Sequence, residues 1–272
     1  MDIPNIRLSD GNTIPQIGLG LWKNRLPSHV TRAVEAALKE GYRHFDSAQI
    51  YGNERFLGSA LQKFGVKREE LYITTKLWNG NQWPEDALDS FDKSLEHLKT
   101  EYIDLFLVHF PVTETRAMAW RSMEKIHESG RAKSIGVSNY TIRHLEELLA
   151  NCRVKPVINQ VELHVYLQQP ELVAFCKKHD IVVEAYSPLA HAHGMDNEVL
   201  QAIADKHGKS TAQVMIRWCI EKGLVPLPKS THADRIKANI EVFDFALDAD
   251  DMAKIEKLEA NLRTCWDPTN VA

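Results

Sequence analysis

The chain has 272 residues, 44% hydrophobic and 26% charged, with a formal net charge of -4. This is the balance of an ordinary globular protein able to bury a core, with no electrostatic footprint for nucleic acid or an anionic membrane surface. Cys152, Cys176, Cys219 and Cys265 are scattered and lack a Cys-x-x-Cys pair, so neither a disulfide framework nor a zinc site is indicated. No apolar run approaches the ~18 residues of a transmembrane helix. The start, Met1-Asp2-Ile3-Pro4, lacks a basic region followed by an apolar segment, so a cytoplasmic location is expected.

Asp10-Gly11 between Ile6-Arg7-Leu8 and Thr13-Ile14-Pro15 predicts a hairpin over 6–15. From Ile17 onward short apolar runs alternate with helical patterns. Ile17–Gly20 leads to a helix from about Ser28 that ends at Gly41. His44–Asp46 leads to a helix over Glu54–Phe64, and Tyr72–Lys76 to the stripe Leu88, Phe91, Leu95 and Leu98. Ile103–His109 precedes a helix over Arg116–Glu128, and Lys133–Val137 one over Thr141–Leu149. Val157–Val161 precedes Pro170–Lys178, and Ile181–Tyr186 precedes two helical patterns, Asn197–Lys206 and Ser210–Glu221. Leu224–Leu227 is the last strand.

Eight strands alternating with helices call for a parallel sheet, because parallel neighbours need a crossover. An α/β barrel typically occupies ~250 residues as one domain. The expectation is therefore a single (β/α)8 TIM barrel over 1–272, with the hairpin before it, extra helices, and a C-terminal substrate flap over 261–272. An open doubly wound sheet is the alternative, but Gly18-Leu19-Gly20-Leu21-Trp22 has the wrong spacing for a dinucleotide fingerprint. The placement of polar residues favours the barrel. Asp46, Lys76, His109, Ser138-Asn139, Gln160, Tyr186-Ser187 and Lys229-Ser230 all stand at the C-terminal ends of their runs, which in a barrel meet around one mouth.

Asp46 and Tyr51 lie five residues apart across one strand end. A phenol with an ordinary pKa near ~10 can give up a proton at neutral pH only if a cation stabilises its phenolate. Lys76 is the candidate cation, Asp46 its partner, and a neutral His109 a second donor to the same oxygen. None of these activates a nucleophile within the chain, so the second reactant is external, and hydride from a nicotinamide fits. A Tyr with a Lys and a carboxylate suits proton donation to a carbonyl oxygen, around which Trp22, Tyr51, Trp78, His109 and Phe110 are expected to form an aromatic wall, with Trp266 on the flap.

The ordered motifs Gly41-Tyr42-Arg43-His44-Phe45-Asp46, Tyr51-Gly52-Asn53-Glu54, Thr75-Lys76-Leu77-Trp78, Leu107-Val108-His109-Phe110-Pro111, Ile135-Gly136-Val137-Ser138-Asn139, Asn159-Gln160-Val161-Glu162 and Pro228-Lys229-Ser230 through Arg235 and Asn239 resemble the aldo-keto reductase superfamily from Ile6 to about Leu262. The short connections are most similar to its bacterial 2,5-diketo-gluconate and methylglyoxal reductase branch. The resemblance implies a catalytic tetrad of Asp46, Tyr51, Lys76 and His109, with Tyr51 as acid, and NADPH as cofactor. It assigns Ser138, Asn139 and Gln160 to the nicotinamide carboxamide and Tyr186 to its ring. Ser187 and Leu189 go to the pyrophosphate, Lys229, Ser230 and Arg235 to the 2′-phosphate, and Asn239 to the adenine. Three positions depart from the pattern: Ala238 replaces a common Glu, Phe110 a common Trp, and the loop over 190–197 is short. The implied protein is a monomeric NADPH-dependent oxidoreductase that needs no metal and reduces small aldehydes, α-dicarbonyls or keto-sugar acids. The competing reading, an NADPH-binding structural or regulatory protein of the same fold, has no chemical need for the tetrad.

Overall fold

The computed structural model describes residues 3–272; Met1 and Asp2, the start of the segment read above for targeting signals, lie outside them. Asn5–Arg7 (β1) and Thr13–Pro15 (β2) pair antiparallel with Ile6 opposite Ile14. Gly11 supplies the positive φ, 91°, that the connecting turn requires. Leu8 and Ile14 join one apolar cluster with Leu105, Leu107, Ile158 and Val225. The hairpin therefore plugs one end of the sheet that follows.

That sheet is made of Leu19–Gly20 (β3), His44–Asp46 (β4), Tyr72–Leu77 (β5), Ile103–Val108 (β6), Ala132–Ser138 (β7), Ile158–Glu162 (β8), Val182–Tyr186 (β9) and Val225–Leu227 (β10). Each strand pairs in parallel with the next in chain order. The two outer strands also meet, because Gly18 N donates to Pro226 O at 3.1 Å and Gly20 N to Pro228 O at 3.0 Å. The curl closes along this seam, and the barrel rather than the open sheet is the observed fold. A Cβ on Gly20 would lie 3.1 Å from Leu227 O, and one on Gly18 only 2.5 Å from His44 Nδ1. Glycine is what allows the seam to draw shut.

Among the described residues ten α-helices accompany the strands: Pro27–Lys39 (α1), Glu54–Phe64 (α2), Pro84–Leu98 (α3), Arg116–Glu128 (α4), Ile142–Asn151 (α5), Pro170–Lys178 (α6), Glu198–His207 (α7), Thr211–Glu221 (α8), Ala233–Ile240 (α9) and Ala249–Glu256 (α10). None is long and apolar enough to cross a membrane. α2, α4 and α6 have the bounds read from the sequence. α7 and α8 begin one residue later because Asn197 and Ser210 are caps, their side chains accepting from Val199 N and Gln213 N. α3 starts well before its apolar stripe, at Pro84, where a missing N–H costs nothing.

Period-two alternation divides the buried residues between two cores. Phe45, Ile73, Phe106 and Ile135 face the helices. Tyr72, Leu105, Leu107, Ile158, Val182 and Val225 instead fill the barrel's lower interior against the hairpin. On those same inward faces, one or two steps further along the strands, stand Asp46, Lys76, Gln160 and Glu184.

The helices pack closely enough to be tested. Gly58 in α2 sits where a Cβ would approach His97 O to 2.5 Å and Leu98 O to 2.6 Å. Gly58→Ala should gain about 1 kcal/mol of helix propensity yet lose more through forced separation of α2 and α3, for which overpacking costs of ~1–3 kcal/mol are typical. A lowered urea midpoint is the expected result. A raised midpoint would show that the α2–α3 contact yields freely.

Candidate active site

Each strand delivers its polar residue to the same mouth. Register sets Gly20 beside Asp46, Lys76 beside Leu107, Ser138 beside Gln160, and Gln160 beside Glu184. After β4 the chain makes one 3-10 turn, Gln49–Tyr51, and Gly52 takes a left-handed φ of 65° to enter α2. Gln49 fixes this turn, accepting from Trp78 N at 2.8 Å and donating to Ser90 O at 3.2 Å. Asn53 ties it to the first loop by donating to Leu21 O and Asn24 O. Tyr51 is thus held by its neighbours on both sides.

Lys76 is fully buried. Its Nζ donates to Asp46 Oδ1 at 2.6 Å, Asp46 Oδ2 at 2.8 Å and Ser47 O at 2.8 Å, which uses all three hydrogens. It lies 5.2 Å from the Tyr51 ring centroid, and that ring stands edge-on to His109 at 5.8 Å. Burial first, and then the Lys76 charge, hold His109 well below the ordinary histidine range, which favours the neutral ring. For Tyr51 the balance runs against the expected lowering. Burial first, and then the Asp46 carboxylate, push the phenol well above its ordinary value. The hydroxyl is held protonated.

A cavity of about 530 Å³ opens over these groups. Asp46, Tyr51, His109, Trp22, Ser138, Asn139, Gln160, Tyr186, Ser187, Leu189, Lys229 and Trp266, all named from the sequence, line it. Asn139 donates to His109 O at 3.0 Å and accepts from the Tyr186 hydroxyl at 2.7 Å. Gln160 Nε2 donates to Asp46 Oδ2 at 2.8 Å and to Glu184 Oε2 at 3.0 Å, which leaves its oxygen as acceptor. Trp78 and Phe110 stand behind the lining, packed on Trp266 at 5.8 and 6.1 Å. Ser230 is buried and caps its own turn through His232 N. Arg235 is exposed and Asn239 buried, both on α9 outside the cavity lining.

The sequence reading passed over Lys23, His191, Thr264 and Cys265, which also line the cavity, and Glu184 beneath it. Position after the first strand could have marked Lys23, and a carboxylate inside the apolar run Val182–Tyr186 could have marked Glu184. Lys23, Asn139, Ser187 and His191 all have positive φ between 51° and 63°, the kind of backbone strain that collects where loops are shaped for a purpose. At the other mouth a hollow of about 770 Å³ is lined in part by Arg43 and Asp104. Arg43 is engaged by the Leu38 and Tyr42 carbonyls and Asp104 by Arg68 and Ile73 N.

Residues 16–260 match the Aldo/keto reductase family. The chain belongs to that family. It is 45% identical over 263 residues to a glyoxal reductase of Bacillus subtilis, covering 97% of this chain and 95% of that protein. It is likewise 45% identical over 269 residues to a methylglyoxal reductase of Escherichia coli O157:H7, covering 97% and 96%. Among solved structures it superposes with a TM-score of 0.91 on an aldo-keto reductase of Bombyx mori in complex with NADP, 36% identical over 97% of this chain and 95% of that one. The protein is an oxidoreductase acting on carbonyl compounds, in a family that generally uses NAD(P)H.

The reductase's own residues fit such a cofactor. Lys23 and Lys229 line one cavity with no carboxylate within 4 Å of either among the described residues. Burial and the Lys23 charge lower Lys229 below the usual lysine range. Two uncompensated cations in a cleft suit an anionic phosphate ligand.

Glu184 has a measurable consequence. Enclosed beside His44, Asp46, Lys76 and Tyr72, its carboxyl is pushed up to about 8, first by burial and then by the Asp46 charge. Between about 4.5, its ordinary value, and 8 the folded reductase therefore holds a proton that the unfolded chain has lost. The stability contributed by this proton falls as pH rises through that window, by up to about 1.4 kcal/mol per pH unit, against the opposite slope set by the buried neutral rings of His44 and His109. Glu184→Gln carries no such proton, so the stability of wild type relative to this variant should fall in urea unfolding between pH 5.5 and 8. Parallel curves for the two proteins would show Glu184 ionised in the folded state.

Proposed function

We propose that this reductase transfers hydride from NADPH to small, reactive carbonyls, with Tyr51 as the general acid. The observation that carries the reading is that Tyr51 and His109 line the same cavity as the uncompensated Lys23 and Lys229. NADPH, when bound, supplies the hydride. Every other part of the reaction belongs to the chain.

His109 and the Tyr51 hydroxyl converge on the substrate oxygen as two hydrogen-bond donors. Tyr51 gives up its proton as negative charge develops on that oxygen, and the Lys76 ammonium, held by Asp46, limits the cost of the phenolate left behind. Asn139, with Ser138 beside it, and the free oxygen of Gln160 hold the carboxamide, while Tyr186 covers the nicotinamide ring. Ser187, Leu189 and Lys23 take the pyrophosphate. Lys229, Ser230 and the exposed fork of Arg235 take the 2′-phosphate, for which a bidentate, permanently charged donor is suited, and Asn239 takes the adenine. Trp22, Trp78, Phe110 and Trp266 exclude water from the carbonyl.

The substrate follows from the shape of this wall. Trp266 is 45% exposed, so the flap over 261–272 encloses little apolar surface and long hydrophobic ketones gain little from it. Glyoxal and methylglyoxal, the substrates named for the two relatives, are small and already activated. Values of kcat/KM should fall in the order methylglyoxal, 2,5-diketo-gluconate, a medium-chain aldehyde, a steroid ketone, with NADPH favoured over NADH. Preference for the steroid would overturn the substrate class, and equal rates with NADH the 2′-phosphate assignment.

Tyr51→Phe removes the acid but no proposed cofactor contact. It should lower kcat by ~10²–10⁴-fold while NADPH titrates normally. Turnover within tenfold of wild type would take Tyr51 out of the mechanism.

A further inference from the structure

Glu162 ends β8 two residues beyond Gln160, so the strand's alternation brings its side chain to the same inner wall, one step nearer the mouth. It is fully buried, and the proton-transfer scheme above makes no use of it. Apart from His164, its partners lie about a hundred residues further along the chain. Oε1 accepts from Thr264 N at 2.7 Å and from the Thr264 hydroxyl, and Oε2 accepts from Cys265 N at 3.0 Å. His164 Nε2 lies 3.3 Å from Oε1, and Arg263 Nη1 3.9 Å from Oε2. Burial alone would raise the carboxyl, but the bonds from His164, Thr264 and Cys265 outweigh it and hold it below the usual range. A buried anion bonded to two consecutive backbone N–H groups and the hydroxyl between them is a strong and directional clasp.

What it clasps crosses both halves of the cavity. Cys265 Sγ lies 3.5 Å from Ser187 Oγ and 3.3 Å from His191 Nε2, so the segment rests on the loop after β9. Trp266, the next residue, packs on Trp78 at 5.8 Å and on His109 at 5.7 Å. On one side of the clasp Ala260 N and Leu262 N donate to Tyr166 O. On the other, Val271 O accepts from His144 Nε2 at 3.0 Å and from Arg143, and Ala272 O accepts from Thr113 at 3.1 Å. Both ends of the segment are moored to the barrel wall away from the cavity. Glu162 is the carboxylate that draws its middle inward.

We propose that Glu162 is a latch: a positioning residue that holds 263–267 down across the loop after β9, so that the bound nicotinamide nucleotide leaves only when the bonds to Thr264 and Cys265 open. The proposal rests on the reading of the cavity as an NADPH site. It also explains how a loop as short as 190–197 can retain a nucleotide. Closure is contributed by the distant segment that rests on it rather than by the loop itself.

Two variants test it. Glu162→Gln keeps the side chain's length but places either an NH₂ group or an uncharged oxygen opposite each backbone N–H. Thr264→Val removes the hydroxyl bond alone and leaves the buried carboxylate in place, so it remains informative if the first variant folds poorly. Preformed complexes with NADPH are mixed with excess NADP⁺ in a stopped-flow instrument and nucleotide fluorescence is followed, and association is measured separately. Release should be about tenfold faster or more in Glu162→Gln and several-fold faster in Thr264→Val, with association rates at the wild-type level. A general loss of structure would slow association as well. Release within twofold of wild type in both variants would overturn the latch while leaving the cofactor assignment intact. Failure of the wild-type protein to bind NADPH would overturn the cofactor assignment, and the latch with it.

Discussion

An ammonium group enclosed in a protein interior is costly unless its hydrogens are all met, and removing one partner of such a pair is typically worth several kcal/mol. Lys76 satisfies this condition only through β4, by way of both Asp46 oxygens and the Ser47 carbonyl. Much of the mouth is ordered by that single ion pair. Burial lowers His109, and the pair's positive end adds to that. Burial likewise raises Tyr51, and the pair's negative end adds to it, receives Gln160, and helps keep a proton on Glu184. Two hydrogen-bonding groups therefore face the cavity from different strand ends without either carrying a formal charge. The charge that can stabilise a developing phenolate lies behind them.

The barrel interior makes this arrangement possible by being apolar at one end and polar at the other. Below, Leu105, Leu107, Ile158 and Val225 meet the hairpin's Leu8 and Ile14 in an apolar plug. Above, the same inward faces carry Asp46, Lys76, Gln160 and Glu184, whose hydrogen bonds run mostly to one another. A buried polar network is favourable only when nearly complete, and here the bonds connect β4, β5, β8 and β9. Displacing one of these strands would disturb the surroundings of all four side chains.

Much of this was legible in the sequence because its causes are local. Short apolar runs ending in polar residues marked the strands and their mouth, and Asp10-Gly11 marked the hairpin. Cap residues account for the one-residue differences at α7 and α8. Other features were not legible because they are properties of pairs. Whether Lys76 lowers or Asp46 raises the Tyr51 phenol depends on which oxygens the ammonium reaches. Lys23 and Lys229 become one feature only when the first and last strands adjoin. Glu184 looks like an interruption in a hydrophobic run until Gln160 is seen beside it, and α9 and α10 carry no strand by which the repeating pattern could have counted them.

The seam where Gly18 and Gly20 donate to Pro226 and Pro228 bears on how such a chain comes to be folded. Its bonds join opposite ends of the barrel sequence, so the entropy of closing nearly the whole loop must be met before they form. Adjacent strand–helix units can assemble earlier from local contacts. Trp22 and Lys23 come beside Lys229 only across this joint. During synthesis Asp46, Tyr51, Lys76 and His109 can therefore gather while the edge that joins Lys23 to Lys229 is still missing, and on the proposed function competence to hold a nucleotide would arrive with the last strand rather than growing gradually along the chain.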